Sequence, residues 1–266
     1  MRNLILTLAL LTGIGSIAQE KSGDTTRFKF GNTEFIIIDG DTTMVSDMEE
    51  PDQDDASHDL AYWSGFDVGV NVLMNSNFQN SFNSSHLDLD PGQSFAYHFN
   101  FAEKRIPIVK EYVGIVTGLG FTNSRFGFND NRMRLGATSD STFGYQDTTL
   151  VSGFNKNQLR ANYFNIPVLL NFNTSKYADK NFHIALGVVG GVRIGSNVRY
   201  KYDVLGGERK DKEKGKYNLN PFQLIGTARI GYKDFGLFAN YNLLPLFQEG
   251  KSEQAFPFTV GASFHF

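Results

Sequence analysis

From Leu60 to the C-terminus, apolar side chains recur at every second position in eight successive runs. In the first, Phe66, Val68, Val70 and Val72 alternate with Asp67, Gly69 and Asn71. The second sets Phe95, Tyr97, Phe99 and Phe101 against Ala96, His98, Asn100 and Ala102; the third sets Val113, Ile115, Leu119 and Phe121 against Gly114, Val116, Gly118 and Gly120. Two longer runs follow, 164–172 and 182–194, with Asn165, Pro167, Leu169 and Asn171 on the second face of one and His183, Ala185, Gly187, Gly191, Arg193 and Gly195 on that of the other. The last three are 222–232, 235–242 and 256–266. Period-two alternation on this scale predicts β-strands with one apolar face and one small or polar face. A soluble sandwich would carry Lys, Glu and Thr on its polar face. Here that face is crowded with Gly, Ala, Asn and Ser, which suits the narrow lumen of a barrel, while Phe, Val and Ile on the other face suit lipid.

The links between the runs are alternately long and short. Long links are expected at 75–92, 123–157, 201–219 and 245–255, short ones at 103–110, 173–180 and 233–234. Transmembrane barrels have long loops outside the cell and short turns in the periplasm. The prediction is an all-β fold, an eight-stranded antiparallel up-and-down transmembrane β-barrel over 61–266, with both ends in the periplasm. An even strand number brings both ends to the same side, and lipid demands a closed sheet because an unpaired backbone group there costs several kcal/mol. Tyr62, Trp63 and Tyr232, at strand ends, are expected in the periplasmic aromatic girdle.

The residues before the barrel differ. In 1–18, Arg2, the apolar stretch Leu4–Ile14 and the small residues Ser16 and Ala18 predict a secretory signal peptide cut before Gln19. The segment 19–60 is expected to be periplasmic, with a hairpin at 26–39 around Gly31-Asn32 and an acidic linker at 47–59. Zero cysteines exclude a lipid anchor at the cleavage site, disulfides and thiolate chemistry. A net charge of −3 gives no basic field for nucleic acid.

The runs NYFNIPVLLNFNTS (162–175), NFHIALGVVGGVRIGS (181–196), LNPFQLIGTARIGY (219–232), LFANYNLLPLF (237–247) and KRIPIVKEYVGIVTGLGF (104–121) resemble the outer-membrane β-barrel proteins of Bacteroidota, often labelled porin-family or PorT-like. The resemblance covers nearly all of the chain after residue 18. It implies the barrel fold and an outer-membrane location, with no shared catalytic residues. It also implies that the C-terminal strand, ending on Phe266 with Phe256, Phe258 and Phe264 on the same face, is the signal recognised by the barrel-assembly machinery.

Candidate chemistry is sparse. Asp67, Arg193 and Arg229 are expected to face inward, with Arg199 and Lys201 nearer the outer rim. Because an unpaired buried charge costs several kcal/mol, Asp67 and Arg229 are expected to pair across the lumen. His86 lies near Ser84, Ser85, Asp88 and Asp90 in a long loop, residue types that a hydrolytic triad would use, although loop proximity supplies no triad geometry. Asp88 and Asp90 could instead meet a divalent ion or shape a turn before Pro91-Gly92. The loop 206–216 mixes both charge signs and could touch lipopolysaccharide phosphates. No catalytic, cofactor or metal site is expected. The functional expectation is a non-enzymatic outer-membrane barrel with a structural, envelope-stabilising or partner-binding role. A small diffusion pore is the alternative, and a lipid-modifying hydrolase comes behind it. Outer-membrane lipid and lipopolysaccharide, the assembly machinery and a periplasmic or cell-surface protein are the expected partners.

Overall fold

The computed structural model describes residues 60–150 and 152–266, together with the backbone of 20–22, 25–30, 33–38 and 41–46. The signal peptide and the acidic linker lie outside the described residues. Within the N-terminal unit, β1 (Glu20–Ser22), β2 (Thr25–Phe30), β3 (Thr33–Ile38) and β4 (Asp41–Ser46) pair antiparallel in sequential order.

The second unit is a closed sheet. Its staves are β5 (Gly65–Met74), β6 (Phe95–Val109), β7 (Val113–Gly127), β10 (Lys156–Asn173), β11 (Phe182–Val204), β13 (Phe222–Tyr232), β14 (Phe235–Asn242) and β15 (Phe256–His265). Each pairs antiparallel with the next in sequence, and β15 closes the ring on β5. The remaining strands, β8 (Met133–Ala137) with β9 (Thr142–Gln146) and β12 (Gly207–Lys214) against the end of β11, belong to the long-loop rim.

The register gives the geometry of closure. From Tyr232, successive cross-strand partners are Phe235, Phe264, Phe66, Phe99, Phe121, Phe164, Val192 and finally Phe222. The circuit returns to β13 ten residues from its start, from Tyr232 to Phe222. Eight strands with that stagger tilt by about 40° and enclose a radius of about 8 Å, given the usual strand rise and spacing. Every position on the circuit except Val192 is aromatic, so a ridge of rings climbs the outer wall as a helix.

The predicted parity of the staves holds. Asp67, Asn71, Asn100, Asn165, Ala185 and Arg229 are buried, whereas Phe99, Ile166, Val168, Val192 and Leu237 are about half exposed on the outer wall. The outward apolar positions of β10 run from Phe172 to Phe164, about 20 Å along the barrel axis at this tilt. That is close to the apolar band of a membrane barrel.

Beyond the band the pattern inverts. In β10, Leu159, Ala161 and Tyr163 point inward and are buried, while Arg160 and Asn162 point outward. The expected long link 123–157 is therefore shorter, because β7 and β10 continue past the band with a soluble-type alternation. The expected loop 201–219 is largely a hairpin of β11 and β12, turning at Leu205-Gly206 with φ 111° at Gly206. The expected short link 103–110 is also corrected. β6 continues to Val109 through register shifts beside Lys104 and Pro107, which hide the alternation, and turns at Lys110 with φ 45°.

A bulge changes the placement of two charges. Asn162 pairs with Gly195 and Tyr163 with Arg193, so Ile194 is an extra residue in β11. Past it the faces of β11 exchange: Val198 and Tyr200 point inward and are buried, while Arg199 and Lys201 point outward. Those two cations do not face the lumen, contrary to the sequence expectation.

Candidate functional site

The lumen fills from the short-turn rim. Leu60, Ala61, Tyr62 and Trp63 are all buried, and Tyr62 takes φ 54° where the chain turns toward β5. Trp63 and Tyr62 are thus not in an outer girdle. The Trp63 Nε1–H donates to the Leu119 carbonyl at 3.0 Å, and the Glu103 carboxylate accepts the backbone N–H groups of Trp63 and Ser64 at 2.6 and 2.7 Å. Gly118 and Gly120 make the room: a Cβ at Gly118 would lie 2.7 Å from the indole and one at Gly120 3.1 Å from it. Tyr62 stacks on His183 with ring centroids 3.8 Å apart, and its hydroxyl accepts from Asn181 at 3.1 Å. Tyr232, by contrast, does point outward and is half exposed.

Above the indole lies the expected ion pair. Arg229 Nη2 donates to Asp67 Oδ2 at 2.6 Å, and the two side chains are 5% and 1% exposed. Asn100 donates to the same carboxylate oxygen at 3.0 Å, and Arg229 also donates to Ser263 Oγ at 3.2 Å. The guanidinium lies 5.2 Å from the Trp63 ring and 5.6 Å from Phe238. This polar and π-electron cage offsets part of the cost of burying both charges, although Asp67 Oδ1 and Arg229 Nε are buried without a hydrogen-bond partner. The next layer is a chain of amides and hydroxyls. Gln223 donates to Asn165 at 2.7 Å, Asn165 donates to Thr122 Oγ1 at 2.6 Å, and His98 Nδ1 shares that hydroxyl at 2.8 Å. Between this layer and the loops lies a small gap lined by His98, Tyr163, Gln223, Asn240 and Thr259, with room for about one or two water molecules.

The long-loop rim closes over that gap with an apolar core of its own. Leu87, Phe126, Met133, Leu159, Tyr200, Leu219 and Phe247 are buried there in one cluster. The β8–β9 hairpin is pinned to it by Arg134, which bonds Asp147 at 2.7 Å and Glu213 at 3.1 Å and lies 4.5 Å from the Tyr200 ring. The Tyr200 hydroxyl accepts the Leu135 N–H at 3.0 Å. Hydrogen bonds from Thr149 and then Arg134 hold the Asp147 carboxyl down at about 2.

His86 is buried in this cap, with Nε2 2.9 Å from Ser252 Oγ and its ring edge-on to Phe247. Burial pushes its pKa down to about 4. The structure does not bring the sequence-adjacent candidates to it. Asp88 accepts from Asn129 at 2.9 Å, and Asp90 caps the turn at Pro91–Gln93, accepting the Gly92 N–H at 2.9 Å. The acid near His86 is Glu253, whose carboxylate accepts the backbone N–H groups of Asn83 and Ser84 at 3.0 and 3.1 Å. His86, Ser252 and Glu253 thereby fasten the loop 75–94 to the loop before β15. Among the described residues no three His, Asp or Glu side chains converge as metal ligands.

The family to which the chain is similar agrees with this architecture. Residues 51–256, well over half of the chain, match the family model described as outer membrane protein beta-barrel domain. No curated protein matches the chain. Among solved structures it is similar to the crystal structure of Ail, the attachment invasion locus protein of Yersinia pestis. The two are 11% identical over 76% of this chain and 99% of that one, with a TM-score of 0.29.

Proposed function

We infer the function of this protein from one premise: the chain belongs to the outer membrane protein β-barrel domain family and is an integral outer-membrane barrel. Its role is to hold a folded recognition platform at the cell surface, without a channel and without catalysis. The observation that carries this reading is the separate apolar core of the long-loop rim. Loops that merely connected strands would have no reason to bury Phe126, Met133, Tyr200 and Phe247 together. A rigid cap with its own core presents fixed side chains to a partner outside the cell, at little ordering cost on binding.

The filled lumen speaks against the diffusion-pore alternative. Trp63, the Asp67–Arg229 pair and the amide layer block it at successive depths, and an eight-stranded barrel has just enough interior for its side chains. The strand motifs at 162–175 and 181–196 support placing the chain with the PorT-like barrels of Bacteroidota, and the apolar stretch at 4–14 supports export through a cleaved signal peptide. Long loops on one rim support the orientation in which that rim faces out and the N-terminal segment faces the periplasm.

Two measurements test this. Purified protein in planar bilayers should give no sustained conductance; stable channel openings would return the pore reading. The chain has no native cysteine, so a single Leu205→Cys at the β11–β12 turn can be probed with a membrane-impermeant maleimide on intact cells. Labelling is expected, and protection until the cells are lysed would reverse the orientation.

A further inference from the structure

Outside the lumen, the wall beside the platform segregates charge. Arg125 and Arg160 are direct cross-strand partners on β7 and β10, both on the outer face. Like charges placed opposite each other destabilise a sheet pair. The next rows repeat the arrangement: Arg199 partners Lys212, and Lys156 partners Lys201, which partners Lys210. The acids of β12 lie mostly on its other face, with Asp211 opposite Tyr200 and Glu213 opposite Val198, both inward-pointing residues. Glu208 and its cross-strand partner Asp203 lie on the outer face at the far end of the strip, where Glu208 engages Lys201 and Lys210. Among the described residues Arg125, Arg160, Lys156 and Arg199 take part in no ion pair. Arg160 Nε is buried without a hydrogen-bond partner.

Directly below this strip a shallow, open groove runs down the outer wall. Its upper end is lined by Arg125, Arg160, Asn123 and Asn162, its lower end by Phe121, Phe99 and Phe66 on the aromatic ridge. Arg125 is oriented by its Nε bond to Asn123 at 2.8 Å and lies 4.4 Å from the Tyr97 ring. Arg125 and Arg160 lie four residues beyond Phe121 and Phe164 along their strands, about 10 Å higher along the axis at this tilt. The Arg125 head leans down toward Asn123 and Tyr97, while Arg160 Nη2 donates to Gln158 at 2.9 Å. A polar end at headgroup depth and an aromatic end in the hydrocarbon have the profile of a lipid.

We propose that this groove and strip form a docking site for one lipid A moiety of lipopolysaccharide. The phosphate sits between Arg125 and Arg160, and an acyl chain lies along Phe121, Phe99 and Phe66. A phosphate offers the bidentate acceptor geometry that guanidinium favours, and it removes the repulsion of the cross-strand pair. Lys156, Arg199 and Lys212 continue the basic face above it, toward the anionic sugars that extend from the lipid. The choice of lipid A over a phospholipid rests on the cell-surface orientation proposed above. A micelle has no sides, so binding there is measured independently of that orientation.

The test is lipid retention by the full chain in zwitterionic detergent, read by native mass spectrometry. The probes are lipid A, lipid A with its phosphates removed, phosphatidylglycerol and inorganic phosphate. The wild type should retain one lipid A and retain the dephosphorylated form at least tenfold less. Arg125→Gln with Arg160→Gln should lower lipid A retention at least tenfold, whereas Lys104→Gln with Lys233→Gln should leave it unchanged. Folding of each variant is checked by heat-modifiable migration, and the four-probe comparison on the wild type needs no variant. Equal retention of dephosphorylated lipid A, equal retention of phosphatidylglycerol, or saturation by inorganic phosphate alone would each overturn the proposal.

Discussion

Replacing Asp67 by Asn leaves the shape of the lumen nearly intact and strands the charge of Arg229. The Asn100 amide loses its charged acceptor, and the guanidinium loses a bond of 2.6 Å at a position 5% exposed. Breaking a buried ion pair from one side costs about 3–5 kcal/mol because the surviving charge is left uncompensated. Arg229 keeps its bond to Ser263 and its contacts with the Trp63 and Phe238 rings, which places the cost near the lower end, at about 3 kcal/mol. That corresponds to a change of about a hundredfold in the folding equilibrium. Trp63 is the only tryptophan and lies against the guanidinium, so urea unfolding from phospholipid vesicles can be followed at the site itself by its fluorescence. Asp67→Asn should lower the midpoint with an unchanged slope, while Asp67→Leu with Arg229→Met should recover most of the loss, since apolar replacement of both partners removes both desolvation costs. A single substitution costing less than about 1 kcal/mol would refute the reasoning, because so small a value belongs to a solvated ion pair.

Other expectations concern the plug, the cap and the closing strand. Gly118→Val should displace the indole, at a cost of about 1–3 kcal/mol or more for overpacking, and red-shift Trp63 emission; unchanged emission would mean that the ring does not occupy that gap. His86 is held neutral in the fold at about 4 against about 6.5 when the loops open, so an opened cap binds the extra proton. Cap stability is therefore full above pH 6.5 and falls as pH drops toward 4, by about 3 kcal/mol at most. Hydrogen exchange of 84–90 and 247–253 should accelerate across that window and lose its pH dependence in His86→Phe. Asp147 acts at lower pH: its stabilisation is present above its unfolded value near 3.9 and is lost as pH falls toward 2, so Asp147→Asn should flatten that acid limb in urea titrations. Deleting Phe266, 78% exposed just past the last strand, should reduce the heat-modifiable yield in cells more than it reduces stability in vesicles. Equal losses in the two assays would mean that the residue has no role in assembly.

The staves were legible because one physical rule, apolar out and small or polar in, acts on every residue within the lipid band. The Asp67–Arg229 pair was legible for the same reason: parity put both charges in a lumen too narrow to leave either alone. Parity could not place Trp63. An aromatic residue ahead of a strand looks the same whether it meets lipid or fills a barrel, and only the glycines at 118 and 120, on a strand distant in sequence, decide it. The loop core was hidden because the rule reverses above the band, so Leu159, Ala161 and Tyr163 belong to a soluble-type pattern written in the same strand as a lipid-facing one. The contact between His86 and Ser252 spans 166 residues and leaves no local trace.

The extra residue at Ile194 separates the molecule into two parts that can change independently. Below it, inserting or deleting a single residue in β11 would turn a lipid-facing side chain into the lumen and expel its neighbour. Above it, the strand has already exchanged its faces and answers to the loop core rather than to the bilayer. A hairpin swapped or lengthened past the bulge in steps of two residues keeps Val198 and Tyr200 in the cap and leaves every stave untouched. The platform can therefore diverge as a replaceable cassette, while the wall that carries it is held fixed by the membrane.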